Sequence, residues 1–195
     1  MLPVSPGAIA GAVAALREGR VVGVPTDTVY GIAADPFREE AVATLFSAKG
    51  RPGVKPIPIL VADPDAARRI GILDEVAAIA GAVHWPGPLT LVVRRVPGLP
   101  DWVGDPERGS VGIRVPDHPV ALALLAAFGP LAVTSANRSG EPPAPGHEAA
   151  REQLGGTVAV YLEGTGSGAA ASTVVDLTGP EPRVLRAGPV EWPPT

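Results

Sequence analysis

What this chain can fold into is set first by where its backbone is allowed to bend. Glycine and proline number 24 each in 195 residues, and they stand at the ends of apolar runs rather than in low-complexity tracts. Between them lie short β-branched runs such as Val21-Val22-Gly23-Val24, stopped by Pro25, and Leu131-Ala132-Val133-Thr134. These read as buried strands. Stretches of helical period alternate with them: residues 8–18, ended by Gly19; residues 39–49, with Val42, Leu45 and Phe46 on one face and Gly50 as C′ residue; and a segment opened by Pro119 that carries Leu122, Leu125 and Phe128. Further strands are expected at 57–62, 89–95, 111–115, 158–162, 173–177 and 183–185, and further helices at 63–70, 74–83 and 147–154. This alternation predicts a single α/β domain over residues 1–195. The last strands follow one another without a helix, so the sheet should be mixed rather than purely parallel.

Composition narrows the function classes. Hydrophobic residues make up 46% and aromatics only 4%, so the core must rest on Val, Ile, Leu and Ala. A formal net charge of −4 argues against nonspecific nucleic-acid binding, which favours a basic chain. With no cysteine, disulfides, thiolate catalysis and sulfur-ligated metals are excluded. His84, His118 and His147 have no metal-ligand spacing, and no metal site is expected. No basic-then-apolar leader opens the chain, and no apolar run approaches the roughly 20 residues that span a bilayer. The expectation is a soluble, cytoplasmic protein without a membrane partner.

Two segments carry candidate chemistry. In Lys49-Gly50-Arg51-Pro52, two cations straddle a glycine where a helix ends, and Lys55 follows in a stretch broken by Pro52, Gly53, Pro56 and Pro58. This suits an anion cradle; a solvated basic loop at a helix C-terminus accounts for the same residues locally. Ser135-Ala136-Asn137 comes off the end of a buried strand, where open α/β sheets bind ligands, and where Ser and Asn also form ordinary turns. Thr26, Asp27, Thr28 and Tyr30 follow another strand directly. Arg114 sits inside the apolar run Val111 to Val115, where it either faces solvent or needs a buried partner. Gly164-Thr165-Gly166-Ser167-Gly168 lacks the Walker lysine and reads as a flexible loop.

Taken in order, Pro25-Thr26-Asp27-Thr28-Val29-Tyr30-Gly31, Lys49-Gly50-Arg51-Pro52, Pro86-Gly87-Pro88-Leu89-Thr90, Arg114-Val115-Pro116, Ser135-Ala136-Asn137-Arg138-Ser139-Gly140 and Ser172-Thr173-Val174-Val175-Asp176 resemble the YrdC/TsaC family of threonylcarbamoyl-AMP synthases. The resemblance covers about residues 8–190. It implies a YrdC-like open, twisted mixed sheet flanked by helices, with a concave ligand-binding face, and the single-domain type rather than the longer members with a second C-terminal domain. The implied reaction joins L-threonine, bicarbonate and ATP into threonylcarbamoyl-AMP and pyrophosphate. A tRNA threonylcarbamoyl transferase complex then uses the product to form N6-threonylcarbamoyladenosine. The family's tetrad falls on Lys49, Arg51, Ser135 and Asn137. The resemblance further implies Thr28, Arg114 and Ser172 at threonine, and Arg51, Lys55, Ser110, Asn137 and Arg186 at ATP, which would bring Mg²⁺. Direct contact with tRNA or double-stranded RNA is left open. The rival readings are a non-catalytic RNA-binding accessory protein and a paralogue acting on another carbamoyl donor.

Overall fold

Strand pairing, more than any helix, organises the molecule. The computed structural model describes residues 5–50, 56–168 and 170–193. Its strands are β1 (Val21–Val24), β2 (Gly31–Ala34), β3 (Ile59–Leu60), β4 (Gly71–Ile72), β5 (Leu89–Arg95), β6 (Ser110–Arg114), β7 (Leu131–Ser135), β8 (Val158–Tyr161), β9 (Thr173–Asp176) and β10 (Arg183–Arg186). They form one sheet in the order β10-β9-β5-β6-β3-β7-β2-β1-β8, with β4 added to β5. The pairs β1–β8, β3–β6 and β5–β9 are parallel and the others antiparallel, so the sheet is mixed, as expected.

The helices are α1 (Pro6–Arg17), α2 (Glu39–Ala48), α3 (Pro64–Arg68), α4 (Glu75–His84), α5 (Pro119–Phe128) and α6 (His147–Leu154). Their starts follow local chemistry. Ser5, Asp63 and Asp74 cap α1, α3 and α4 through side-chain acceptors, and proline stands in the first turn of α1, α3 and α5. Several expectations shift. The strand placed at 57–62 shrinks to Ile59–Leu60, directly after Pro58, and the helix placed at 63–70 shortens to Pro64–Arg68. Neither β2, Gly-Ile-Ala-Ala, nor the two-residue β4 is expected from the sequence, yet β2 sits between β1 and β7 and β4 is added to β5.

Side-chain alternation along the strands sorts the core into two layers. Val21, Ile32, Ile59 and Ala132 pack in one cluster with Leu45, Ala80 and Ala150 from α2, α4 and α6. Their neighbours Val22, Ala33, Leu60 and Leu131 pack in the other, with Ala12 and Leu16 of α1 and Val120 and Leu124 of α5. At the β5–β6–β9 end the first face stays apolar through Leu91, Val93, Val111, Ile113 and Val175. The second face there presents Thr90, Val92, Ser110, Gly112, Val174 and Asp176 to a cleft. Leu60 pairs with Arg114, and directly opposite residues share a face. The cleft therefore begins where the α1–α5 layer stops.

Candidate active site

The cleft has two lobes. The inner lobe, of about 670 Å³, is lined by Thr26, Thr28, Arg114, Ser135, Ser172 and Arg186 together with the apolar Val29, Leu60, Val133 and Pro143. The outer lobe, of about 1080 Å³, is lined by Ser110, Asp105, Arg108, Asp176 and Leu185 among others. Pro58, Thr90 and Arg186 belong to both. Among the described residues, the inner lining carries two arginines and no carboxylate.

Next to the inner lobe, the end of α2 and the end of β7 bring three of the tetrad residues, Lys49, Ser135 and Asn137, together. Lys49 caps α2 and is 5% exposed. Its ammonium donates to Ser135 O at 2.6 Å, to Asn137 Oδ1 at 3.0 Å and to Ser135 Oγ at 3.3 Å, across a gap of more than eighty residues in sequence. Ser135 Oγ donates to Asn137 Oδ1 at 2.6 Å, and Asn137 Nδ2 donates to Arg138 O and Glu141 O. Both amide protons and both acceptor positions of Asn137 are thereby used within the protein, which locks the side chain under Lys49. The Ser139 N–H donates to Lys49 O at 2.8 Å, fastening the two segments a second time. Arg51 and Lys55 lie outside the described residues.

Arg114 is the other buried cation, also 5% exposed. It does not face solvent. Nε donates to Gly87 O at 2.9 Å, one terminal nitrogen to Thr28 Oγ1 at 2.9 Å, and the other to Asp27 Oδ1. Burial lowers the pKa of the guanidinium, and Asp27 opposes that shift. Gly87 can offer its carbonyl because it has no side chain: a Cβ would meet His84 O at 2.4 Å. Thr26 donates to Val29 O at 2.7 Å and lies 3.1 Å from Thr28 Oγ1. With its proton so used, Thr26 accepts from Thr28, and the Thr28 hydroxyl serves Arg114 on one side and Thr26 on the other.

Arg186, at the end of β10, reaches back over β9. Its Nε donates to Ser172 O at 2.9 Å and its terminal nitrogen to Ser172 Oγ at 3.0 Å. Ser172 Oγ lies 2.8 Å from Thr90 Oγ1. Burial pulls the Arg186 pKa down as well. Both arginines nevertheless keep their charge near neutrality. Ser110 is buried in the wall of the outer lobe.

The fold thus gathers Lys49, Ser135 and Asn137 in one cluster, lines the adjoining inner lobe with Thr28, Arg114, Ser172 and Arg186, and puts Ser110 in the outer lobe. Asp27 and Thr90 join the same site as partners of Arg114 and Ser172. Thr90 stands out in retrospect by its alternation with Leu89 and Leu91 on β5, which turns its hydroxyl away from the core. The loop read as flexible is tied down: Thr165 bridges to Gly146, and Ser167 Oγ donates to Asp27 O at 2.7 Å.

Three comparisons bear on this arrangement. A Mycobacterium tuberculosis protein provisionally named a threonylcarbamoyl-AMP synthase is 48% identical over 194 residues, covering 93% of this chain and 84% of that protein. The structure of Pyrococcus abyssi Sua5 complexed with L-threonine matches with a TM-score of 0.85 at 35% identity, covering 92% of this chain; the chain spans about half (54%) of that one. Escherichia coli YciO matches with a TM-score of 0.86 at 26% identity, covering 94% of this chain and 90% of its own. Residues 14–188 match the Sua5/YciO/YrdC family model, described as telomere recombination. With the fold and the ordered motifs in agreement with these matches, the chain belongs to the Sua5/YciO/YrdC family.

Proposed function

We propose that this chain is a threonylcarbamoyl-AMP synthase, joining L-threonine, bicarbonate and ATP and releasing pyrophosphate for tRNA modification. One observation carries the chemistry: an inner lobe lined by two arginines, Arg114 paired with Asp27 and Arg186 held on Ser172, beside a buried ammonium held on Ser135 and Asn137. Every substrate is an anion or carries one, and such a site neutralises and aligns them. The names of the relatives support the same activity.

In this reading the carboxylate of threonine sits against Arg114 and Ser172, and its methyl against Leu60 and Val133. Its amine attacks the carbon of bicarbonate, with loss of water, to give an N-carboxylate. An oxygen of that carboxylate bonds to the α-phosphorus of ATP while the α–β phosphoanhydride bond breaks and pyrophosphate leaves. Lys49 stabilises the charge that develops along this path, Ser135 and Asn137 hold Lys49, and Arg186 and Ser110 meet the nucleotide. Arg51 and Lys55 are assigned to phosphate on the strength of the motif. Among the described residues no group of three or more acidic or histidine side chains could hold a metal. Asp105 and Asp176 in the outer lobe are engaged by Arg108 and by Thr178 and Arg183. Mg²⁺ would come with ATP, held mainly by phosphates and water.

The test is pyrophosphate release from ATP. It should require both L-threonine and bicarbonate. Equal release with threonine omitted would reject the proposal. Delivery of the product to a tRNA-modifying transferase, and any direct contact with tRNA, are further parts of the same proposal.

A further inference from the structure

Thr90 stands where the two lobes meet. It is 3% exposed, yet it lines both. Its hydroxyl pairs with Ser172 Oγ, which accepts from Arg186. A hydroxyl has one proton and two acceptor positions. Arg186 fills one acceptor position of Ser172, and the Ser172–Thr90 bond uses one of the two hydroxyl protons. The other proton is left at the wall of the inner lobe. When an anion takes it from Ser172, Thr90 must be the donor within the pair. Ser172 then accepts from both Thr90 and Arg186, and hydrogen bonds in such a chain polarise one another. An occupant of the inner lobe therefore tightens the hold on Arg186, which also lines the outer lobe. The charge of Arg186 also depresses the pKa of Arg114, so the two cations repel, and an anion between them relieves that repulsion.

We propose that the Thr90–Ser172–Arg186 chain makes occupancy of the two lobes cooperative, with Thr90 as its positioning residue. A carboxylate in the inner lobe strengthens nucleotide binding in the outer one, and the reverse holds to the same degree. This rests on the synthase reading of the site.

Calorimetric titration with α,β-methylene-ATP, with and without saturating L-threonine, tests it. In the wild-type chain threonine should lower the nucleotide Kd about fivefold or more. In Thr90→Val, which keeps the shape and removes the hydroxyl, the ratio should fall to near one. Thr90→Ser should restore it. Ser172→Ala should abolish the ratio too, and Thr90→Val/Ser172→Ala should lose no more than either single variant, because both act on one chain. A thermal melt of each variant separates loss of coupling from loss of fold. An unchanged ratio in Thr90→Val, or a wild-type ratio of one with both ligands bound, overturns the coupling. A wild-type chain that binds no L-threonine overturns the synthase reading itself.

Discussion

Lys49 brings a full charge into a site where it is 5% exposed. A buried ammonium is tolerated only where acceptors replace its water, and Ser135 O, Ser135 Oγ and Asn137 Oδ1 do so. Two effects should therefore separate in Lys49→Met. The acceptors lose their donor, and an unsatisfied buried acceptor costs about 1–3 kcal/mol of stability. Activity should fall much further, about 10²-fold or more, if the ammonium stabilises charge developing in the transition state. Urea unfolding reads the first effect and threonine-dependent pyrophosphate release the second. A variant that is destabilised but keeps near-normal turnover would reduce Lys49 to a structural post. Arg114 is held differently, by a carboxylate, a hydroxyl and a carbonyl at once, which fixes its plane before any substrate arrives.

At the scale of elements, α5 depends on an unusual cap. His118 Nδ1 accepts from Val120 N at 3.3 Å, which requires that nitrogen to be unprotonated. Burial lowers the His118 pKa from 6.5, while Asp27 and Asp117 oppose the shift. The sign follows from linkage. Between the lowered folded value and 6.5 the unfolded chain binds more protons, so stability falls as pH drops through that window; above it both states are neutral and the contribution is flat. His118→Asn keeps a capping side chain without the titration. Its melting temperature should lose part of the wild-type decline below about pH 6.5. Equal acid sensitivity in both proteins would place the effect elsewhere. The start of α5 was legible from Pro119, because proline at a first turn is a strong local signal. Strand β2 was not. Gly31, Ala33 and Ala34 have weak strand preference, and their place is set by β1 and β7 on either side: a Cβ on Gly31 would meet Val133 Cγ1 at 2.9 Å. The tetrad was legible as motifs, but local chemistry left an anion cradle and a basic turn equally good. The pairing of β2 with β7 and the reach of Lys49 show only that Ser135 and Asn137 meet the ammonium. Thr90 and Asp27 gained tasks only through partners 82 and 87 residues distant, which no local pattern encodes.

For the whole molecule, the uneven cover of the sheet is the functional design. One face is packed along its length, while the other is packed by α1 and α5 only up to β3. Beyond that, the wall is finished by β9, β10 and the segment that returns from β10. Gly188 lies so close to the Ser172–Thr173 backbone that a Cβ would meet Thr173 N at 2.5 Å, and Thr173 Oγ1 both donates to Val190 O and accepts from Val190 N. Ligands in the cleft would touch β5, β6, β7, β9 and β10 together, so binding should stabilise the fold as a unit. For a ligand that binds only the folded state, a concentration 100 times Kd adds about 2.7 kcal/mol. In a chain of this size each kcal/mol moves the melting temperature by roughly 2–4 °C. L-Threonine at that excess should therefore raise it by about 5–10 °C. D-Threonine, which cannot present the same carboxylate, amine and methyl to Arg114 and Val133 together, should raise it much less. An RNA-binding accessory protein would behave oppositely, indifferent to threonine and stabilised by double-stranded RNA in a manner that fades as salt rises. A threonine shift retained in Lys49→Met but lost in Arg114→Leu would divide the site by task, with Arg114 binding the amino acid and Lys49 serving the chemistry. Loss of the shift in both variants would mean that the Lys49 cluster and the inner lobe act as one binding surface.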